Sequence, residues 1–446
     1  MMRTKSTRRI IVIAFLAAAA TLRADDRDAT LFDHSVDHRW WISAQANFIE
    51  QRHGAFHAAY SGPNSLRPAR ENALSSVVTL YTGFRLTPSI EVLADAESAG
   101  GRGLSDAFGL AGFSNLDVVR NPTLGSAPYV ARLMAHGMIP LTAEHERTER
   151  NALTGFSSAP AERIEWRVGK FGSADFFDVN AIGSDSHLQF ENWTVDNNGA
   201  FDYAADTRGY TLGAYAELHE AAWSLRAGVE LMPTVANGIK LDRHVSRARG
   251  QNIEFESRRP LIGSRPSVVR ILLYDNIAAM GNYRESLHIA GSRAPDITAT
   301  RRDGRSKYGI GLNAEQQLSQ RIRAFIRAGW NDGRNESFAY TEVDRTVELG
   351  GDFSDFLRPG NRVGVALVEN RISDSHRAYL AAGGLGFLLG DGALSYGPEQ
   401  IVEMYFTTRL TRGVYVSADV QRIDHPGYNR SRGPVVVSGV RLHIDL

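Results

Sequence analysis

The 446-residue sequence contains no cysteine, so neither a disulfide nor a thiolate metal site can hold its fold together. Long apolar runs are almost absent, and mean hydropathy is −0.26. No stretch beyond the first residues is apolar enough for a membrane helix. That excludes a helical membrane protein but not one that crosses with strands, because a barrel strand shows lipid only every second residue. An excess of base is missing too: Lys and Arg together number 50, as do Asp and Glu. Nothing in that balance favours a nucleic-acid partner.

The one apolar run, Ile10 to Leu22, follows a basic start of Arg3, Lys5, Arg8 and Arg9. Small residues at Ala20 and Ala24 offer cleavage sites, and Asp25, Asp26 and Asp28 come next. The run is too short to span a bilayer and reads as an export signal over residues 1–24. Its removal takes five basic residues with it and leaves 45 Lys and Arg against 50 Asp and Glu. Residues 25–446 then form one domain, with 25–40 as a periplasmic N-terminal segment.

What the chain has in quantity is alternation. In Glu399 to Leu410, Val402, Met404, Phe406 and Leu410 point one way, while Glu403, Tyr405, Thr407 and Arg409 point the other. After a tight turn at 411–413, Val414, Val416, Ala418 and Val420 resume the apolar face. The final run sets Val436, Val440, Leu442, Ile444 and Leu446 against Arg441, His443 and Asp445. A period of two, apolar one way and polar the other, marks a strand with one apolar face. The same pattern recurs at 41–50, 76–87, 90–97, 129–139, 161–171, 210–219, 223–231, 310–318 and 322–331. It is weaker at 266–275, 280–290, 338–348 and 362–370. Sixteen strands result. The connections near 88, 220, 319 and 412 are short, whereas 51–75, 98–128, 172–208 and 233–265 are long. Short turns on one side and long loops on the other predict an all-β, transmembrane, antiparallel up-and-down barrel. The segment 140–160 is the exception, long on the short-turn side. Trp223, Tyr210, Trp330 and Tyr308 fall near strand ends, as an interfacial girdle requires.

Several blocks then add a resemblance. Gly169-Lys170-Phe171-Gly172, Asp175 to Asn180, Gln189-Phe190-Glu191-Asn192-Trp193 and Asp202 to Thr211 resemble the OprB family of carbohydrate-selective porins. So do Tyr60 to Leu66, Gly383 to Gly392 and Gln421 to Asn429. The resemblance implies an outer-membrane barrel of a Gram-negative bacterium that passes sugars by diffusion, without a cofactor, as a monomer or a homotrimer. One departure is Leu446, where such barrels usually end in Phe.

A sugar channel needs a wet, narrow lumen with hydrogen-bonding groups of both signs and a few rings, binding weakly enough to release. The inward faces supply Tyr81, Arg85, Glu91, Asp95, Arg132, Arg167, Glu403 and Arg441, joined by Lys170 from the family block. The competing reading of such charges is ion-pair ladders that brace the wall. Segment 172–208 is rich in rings, among them Phe190 and Trp193, which suits a loop folded into the barrel and narrowing it; a cap packed on the rim is the alternative. Other patterns carry less. Asp33, His34, Asp37 and His38 resemble a metal set but fit a polar tail better, and His53 and His57 flank Gly54 in a loop. Gly384 to Gly390 lacks the strand-to-helix setting of a dinucleotide loop and suits a short reentrant or surface segment. No Gly-x-Ser-x-Gly elbow occurs. A general diffusion porin and a barrel hydrolase remain the rival functions.

Overall fold

The computed structural model describes residues 30–34, 38–117, 124–338 and 341–446. The export signal expected over 1–24 lies outside the described residues, as does part of segment 25–40.

The strands run β1 (Trp40–His53), β2 (Glu71–Thr87), β3 (Ile90–Gly101), β4 (Tyr129–Pro140), β5 (His145–Arg147), β6 (Ser158–Pro160), β7 (Arg163–Phe171), β8 (Thr211–His219) and β9 (Trp223–Glu230). They continue with β10 (Arg249–Ser257), β11 (Ser267–Met280), β12 (Arg302–Gln317), β13 (Ile322–Asn331), β14 (Arg345–Ser354), β15 (Arg362–Arg371), β16 (Glu399–Thr411), β17 (Val414–Asp424) and β18 (Val435–Asp445). All except β5 and β6 join one closed antiparallel barrel of sixteen strands, each paired to its neighbour in sequence order. β1 closes the ring on β18 in register from Gln45 opposite Asp445 to His53 opposite Val437. Closure leaves no edge strand with unpaired backbone groups, which is the condition for strands in a bilayer.

The pleat sorts the side chains. On β2, Leu74, Val78, Leu80, Phe84 and Leu86 are exposed on the outer face, while Ala73, Ser75, Val77 and Thr79 are buried. The same inversion of a soluble protein, apolar outside and polar inside, holds on β12 and β16. Ile310, Leu312, Val402 and Met404 are exposed there, whereas Asn313, Glu403 and Thr407 are buried.

Two expectations about the strands are corrected. Residues 249–257 form β10 rather than the middle of a long loop, and 280–290 do not form a strand. Met280 ends β11, and Tyr283–Ala290 is a helix, α2. The Asn282 side chain caps it by accepting from the Glu285 N–H at 3.1 Å. The run expected at 338–348 enters the sheet only at Arg345. The two errors cancel, so the strand count and the side assigned to each later turn survive. Tyr210 is also no part of a lipid girdle: it is buried inside the barrel, whereas Tyr308 and Trp330 do face outward, 5.9 Å apart.

The exceptional segment 141–162 carries the small hairpin β5–β6 and folds back under the barrel. Its Gly155 N–H donates to both Glu91 carboxylate oxygens at 3.0 Å. On the opposite rim the long loops carry α2 and α3 (Asp374–Ala381). There Leu388 and Leu389, from the glycine-rich stretch, are buried, and their N–H groups donate to Glu342 at 2.9 and 2.8 Å. That stretch is reentrant.

Candidate functional site: a channel beside an inserted loop

The connection between β7 and β8 turns inward and fills most of the barrel. Its rings explain why. Phe190 is buried edge-on to Tyr405 of β16, with ring centres 4.7 Å apart, and close to Phe325 of β13. Phe176 and Phe177 pack on Tyr215 of β8, and Phe201 packs on Tyr274 of β11. Gly329 on β13 leaves room for Asn198, since a Cβ there would sit 2.0 Å from the Asn198 side chain.

A buried loop must still satisfy its backbone, and inward charges on the wall do this. Arg327 on β13 donates to the carbonyls of Val195 (2.9 Å) and Asp178 (3.1 Å). Arg441 on β18 donates to the carbonyls of Ser186 (2.5 Å) and Gln189 (2.8 Å). Glu403 on β16 accepts from the N–H groups of Glu191 (2.6 Å) and Asn192 (3.2 Å). On that same strand Glu399 accepts from Ala111, Gly112 and Gly427. Within the loop, Asn192 accepts from Thr194 N–H and starts a single helical turn, α1 (Trp193–Asp196).

The loop meets the wall formed by β1 to β4 through separate polar contacts, Arg132 with Asp175, Glu97 with Tyr210, Gln51 with Glu191 and Gln45 with His187. A cavity of about 440 Å³ remains between them, from Leu124 and Arg208 at the long-loop end to Leu153 of the folded-back segment. One side is planar and basic. Arg132 donates to both oxygens of Asp175 (2.8 and 2.6 Å) and to Asp95 (3.2 Å), and its guanidinium lies 5.5 Å from the centre of the Tyr210 ring. Arg208 covers the Tyr129 ring at 3.7 Å. Both phenols donate to Glu97, Tyr210 at 3.1 Å. The other side carries His187, 3.7 Å from Asp117 and stacked on His443 at 5.2 Å. Burial works against charge on His187, but the Asp117 carboxylate outweighs it and the imidazole is pushed up to about 9. Asp196 is pushed up to about 7, chiefly by burial. The channel wall thus offers donors, acceptors and ring faces within one polar space.

Of the residues singled out in the sequence, Tyr81, Arg132 and Trp193 line this cavity. Asp95 orients Arg132 from behind. Arg85 sits at the short-turn end and donates to the His38 carbonyl at 2.7 Å. Glu91 is buried against His136 (2.7 Å) and anchors segment 141–162. Arg167 pairs with Glu165 (2.6 Å) and covers the Phe176 ring at 4.7 Å. Phe190, Glu403 and Arg441 hold the inserted loop. Lys170 departs from the expected set: it takes the outward parity beside Leu133 and Leu212, and its ammonium turns back to the Val130 carbonyl at 2.8 Å. Arg208, Tyr129, Asp117 and His187 were missed as site residues. The Arg208-Gly209-Tyr210 block pointed to two of the lining groups without giving their role.

Among the described residues a nucleophile relay has one geometric candidate, Ser224 with His219 and Glu217 at the short-turn end. Both partners approach the same nitrogen, His219 Nδ1, Ser224 at 3.2 Å and Glu217 at 3.0 Å. A relay needs them on opposite nitrogens. Arg258 moreover donates to the Ser224 hydroxyl at 2.9 Å. In the tail, Asp33 pairs with Arg412 and His34 lies edge-on to Trp41, whereas Asp37 lies outside the described residues.

The profile described as carbohydrate-selective porin, OprB family, matches residues 63–446. This chain belongs to that family. It is a channel protein of the Gram-negative outer membrane, through which carbohydrate passes. Among solved structures it is similar to Pseudomonas putida OprB in its high-pH form, with a TM-score of 0.69 at 14% identity over 91% of this chain and 94% of that one. The outer-membrane channel DcaP of Acinetobacter baumannii is more distant (TM-score 0.49, 10% identity, 91% and 97% covered). So is a triple mutant of the Rhodopseudomonas blastica porin (TM-score 0.44, 10% identity, 91% and 100% covered). No curated protein matches the sequence.

Proposed function

We propose that sugars cross this porin through the cavity between the inserted 172–210 connection and the β1–β4 wall, held weakly on Arg132, Arg208, Tyr81, Tyr129, Tyr210 and Trp193. The observation that carries the reading is the arrangement around Arg132 and Glu97. Two phenols and the Arg132 guanidinium hydrogen-bond to carboxylates, and the Arg208 guanidinium covers one of the two rings. A pyranose offers hydroxyls to such charged edges and C–H faces to such rings. Each contact is modest, so release stays fast. The Asp175 and Asp95 carboxylates fix the Arg132 fork in one plane, which reduces the ordering cost of each capture.

On this reading the protein catalyses no reaction and uses no cofactor. Residues 1–24 are an export signal, and the exported barrel works as a monomer or a homotrimer. Planar-bilayer conductance of the purified barrel, titrated with mono- and disaccharides, tests it. Stepwise openings blocked by millimolar sugar, with the block lost in Arg132→Gln, are the expected outcome. Openings indifferent to every sugar would leave a general diffusion porin, and the proposed contacts would be structural only. Cross-linking before denaturing electrophoresis separates monomer from trimer.

A further inference from the structure

The outward face of the barrel is charged differently at its two ends. At the short-turn end, β1 to β4 present Trp40, Ile42, Phe84, Leu86, Ile139 and Leu141, all exposed and apolar or aromatic. At the long-loop end, the same face ends in guanidiniums. Along β2 the outward positions run from Leu86 to Leu74, a band of ~25–30 Å at ordinary strand rise and tilt. Asn72 and Arg70 follow, both exposed. Arg52 on β1 is in register with Asn72 and faces the same way. Arg102, just past β3, donates its backbone N–H to the Leu74 carbonyl at 2.9 Å, which brings it beside Asn72.

Arg67, Ala69, Arg70, Glu71, Asn72 and Arg102 line an open groove of about 260 Å³, set at the level where the apolar band ends. Their charges are unevenly answered. Arg67 is paired with Glu71 (2.9 Å) and Asp106 (2.5 Å), and Glu71 is further held by the Ser105 N–H and hydroxyl. Among the described residues Arg102 reaches only the Asn72 carbonyl, at 3.4 Å, Arg52 reaches only the Ser438 hydroxyl, at 3.3 Å, and no carboxylate pairs with Arg70. The exposed acid closest along the outward face of β1 is Glu50, two residues below Arg52. Two guanidiniums without carboxylate partners among the described residues, Arg70 and Arg102, therefore share the groove at the outer lipid–water boundary, with Arg52 alongside on β1 and exposed leucine and valine immediately below.

A second copy of this chain would bring the same cations and is disfavoured there. The pattern instead matches a ligand with phosphate above acyl chains, since the groove binds the anion by charge-assisted, forked hydrogen bonds and the band below solvates the chains. We propose that this groove, in which Arg70, Asn72 and Arg102 offer free donors and beside which Arg52 stands on β1, is a docking site for the phosphorylated headgroup of the outer-leaflet glycolipid, lipopolysaccharide. The site lies outside the barrel wall and is independent of how sugars cross the lumen.

Native mass spectrometry and thermal unfolding of the delipidated barrel test this with three probes: purified lipopolysaccharide, the same lipid after phosphate removal, and inorganic phosphate. The phosphorylated lipid should bind and raise the unfolding temperature, with an affinity that falls steeply as salt rises to ~0.5 M. The R70Q/R102Q variant should bind it about tenfold or more weakly, with sugar block unchanged. Arg265→Gln, at the short-turn end, should match wild type. Equal affinity for the dephosphorylated lipid would overturn the proposal by leaving only the apolar band as the attraction. Equal binding of inorganic phosphate would overturn the lipid assignment. If R70Q/R102Q fails to show the heat-modifiable mobility of a folded barrel, the salt dependence and dephosphorylated arm on wild-type protein decide the matter alone.

Discussion

Two halves of one lumen use the same residue types for opposite ends. Facing β12 to β18, inward Arg and Glu side chains are sealed against the inserted loop: Arg327, Glu403 and Arg441 are fully buried, and each makes hydrogen bonds to loop backbone. Facing β1 to β4, Arg132, Arg208 and Glu97 keep a side on open space. An inward charge on a barrel strand is therefore no marker of the transport path. What separates the halves is where the loop's rings find partners: Phe190 meets Tyr405 and Phe325, whereas the β1–β4 side meets the loop through polar contacts such as Gln45 with His187 and leaves Tyr81 and Val77 lining the cavity.

The comparison breaks most visibly if the loop is released. Replacing Phe190 and Trp193 together by alanine removes two buried rings, each worth about 3–5 kcal/mol. Single-channel conductance should rise severalfold and urea unfolding should shift to lower concentration. Conductance and sugar block both equal to wild type would mean that the loop does not narrow the path. A charge on the packed side gives the next effect. Arg327→Ala strands Glu348 and Asp178 without their partner (3.1 and 3.6 Å) and should cost about 3–5 kcal/mol, read as a lower unfolding midpoint.

On the open side the same chemistry should cost binding as well as folding. Arg132→Gln should lower the unfolding midpoint, because Asp95 and Asp175 lose their shared partner, and should also weaken sugar block by about tenfold. Arg208→Ala, which uncovers the Tyr129 ring, should weaken it by only a few-fold, as an exposed cation–π contact of about 0.5–1 kcal/mol allows. A stability loss in Arg132→Gln with sugar block unchanged would leave that residue as an anchor alone and erase the distinction between the halves.

How much of this was written in the sequence follows from the same contrast. Period-two alternation showed every strand whose outward face carries several apolar residues. It missed β10, whose outward face offers only Ile253 and Phe255 between Gln251 and Ser257, and whose inward face is Asn252, Glu254 and Glu256. It read α2 as a strand, although Asn282 followed three residues later by Glu285 is a capping signature and Gly291 closes the helix. The rings of 172–208 did announce an inserted loop, because apolar groups in an external connection need a partner. The identity of the channel wall was not legible. Whether Arg132 or Arg441 faces open space depends on which strands the loop packs against, and no local pattern encodes that. Lys170 misled for a simpler reason, since it was taken from a family block while its parity points to lipid.

The smallest effect is also the one that probes the open side without mutation. His187 and Asp196 both border the cavity, and their surroundings push both groups upward, to about 9 and about 7. His187 is faced by Asp117 from the β3–β4 loop, by Asp185 on its own loop, and by Arg441 and His443 from β18. Raising pH from 6 to 8 ionises Asp196 and adds a negative charge to the channel. Raising it from 8 to 10 neutralises His187 and removes a positive one. Both steps favour cations, so the reversal potential in a salt gradient should move the same way twice. Stability moves with them. The His187 pair contributes fully below the unfolded value of 6.5 and is lost as pH climbs through about 9, and the neutral Asp196 contribution is lost between 3.8 and about 7. His187→Gln should delete the upper step and Asp196→Asn the lower. A reversal potential flat from pH 6 to 10 would show that neither group faces the permeating ions, and that the path runs elsewhere than along β1 to β4.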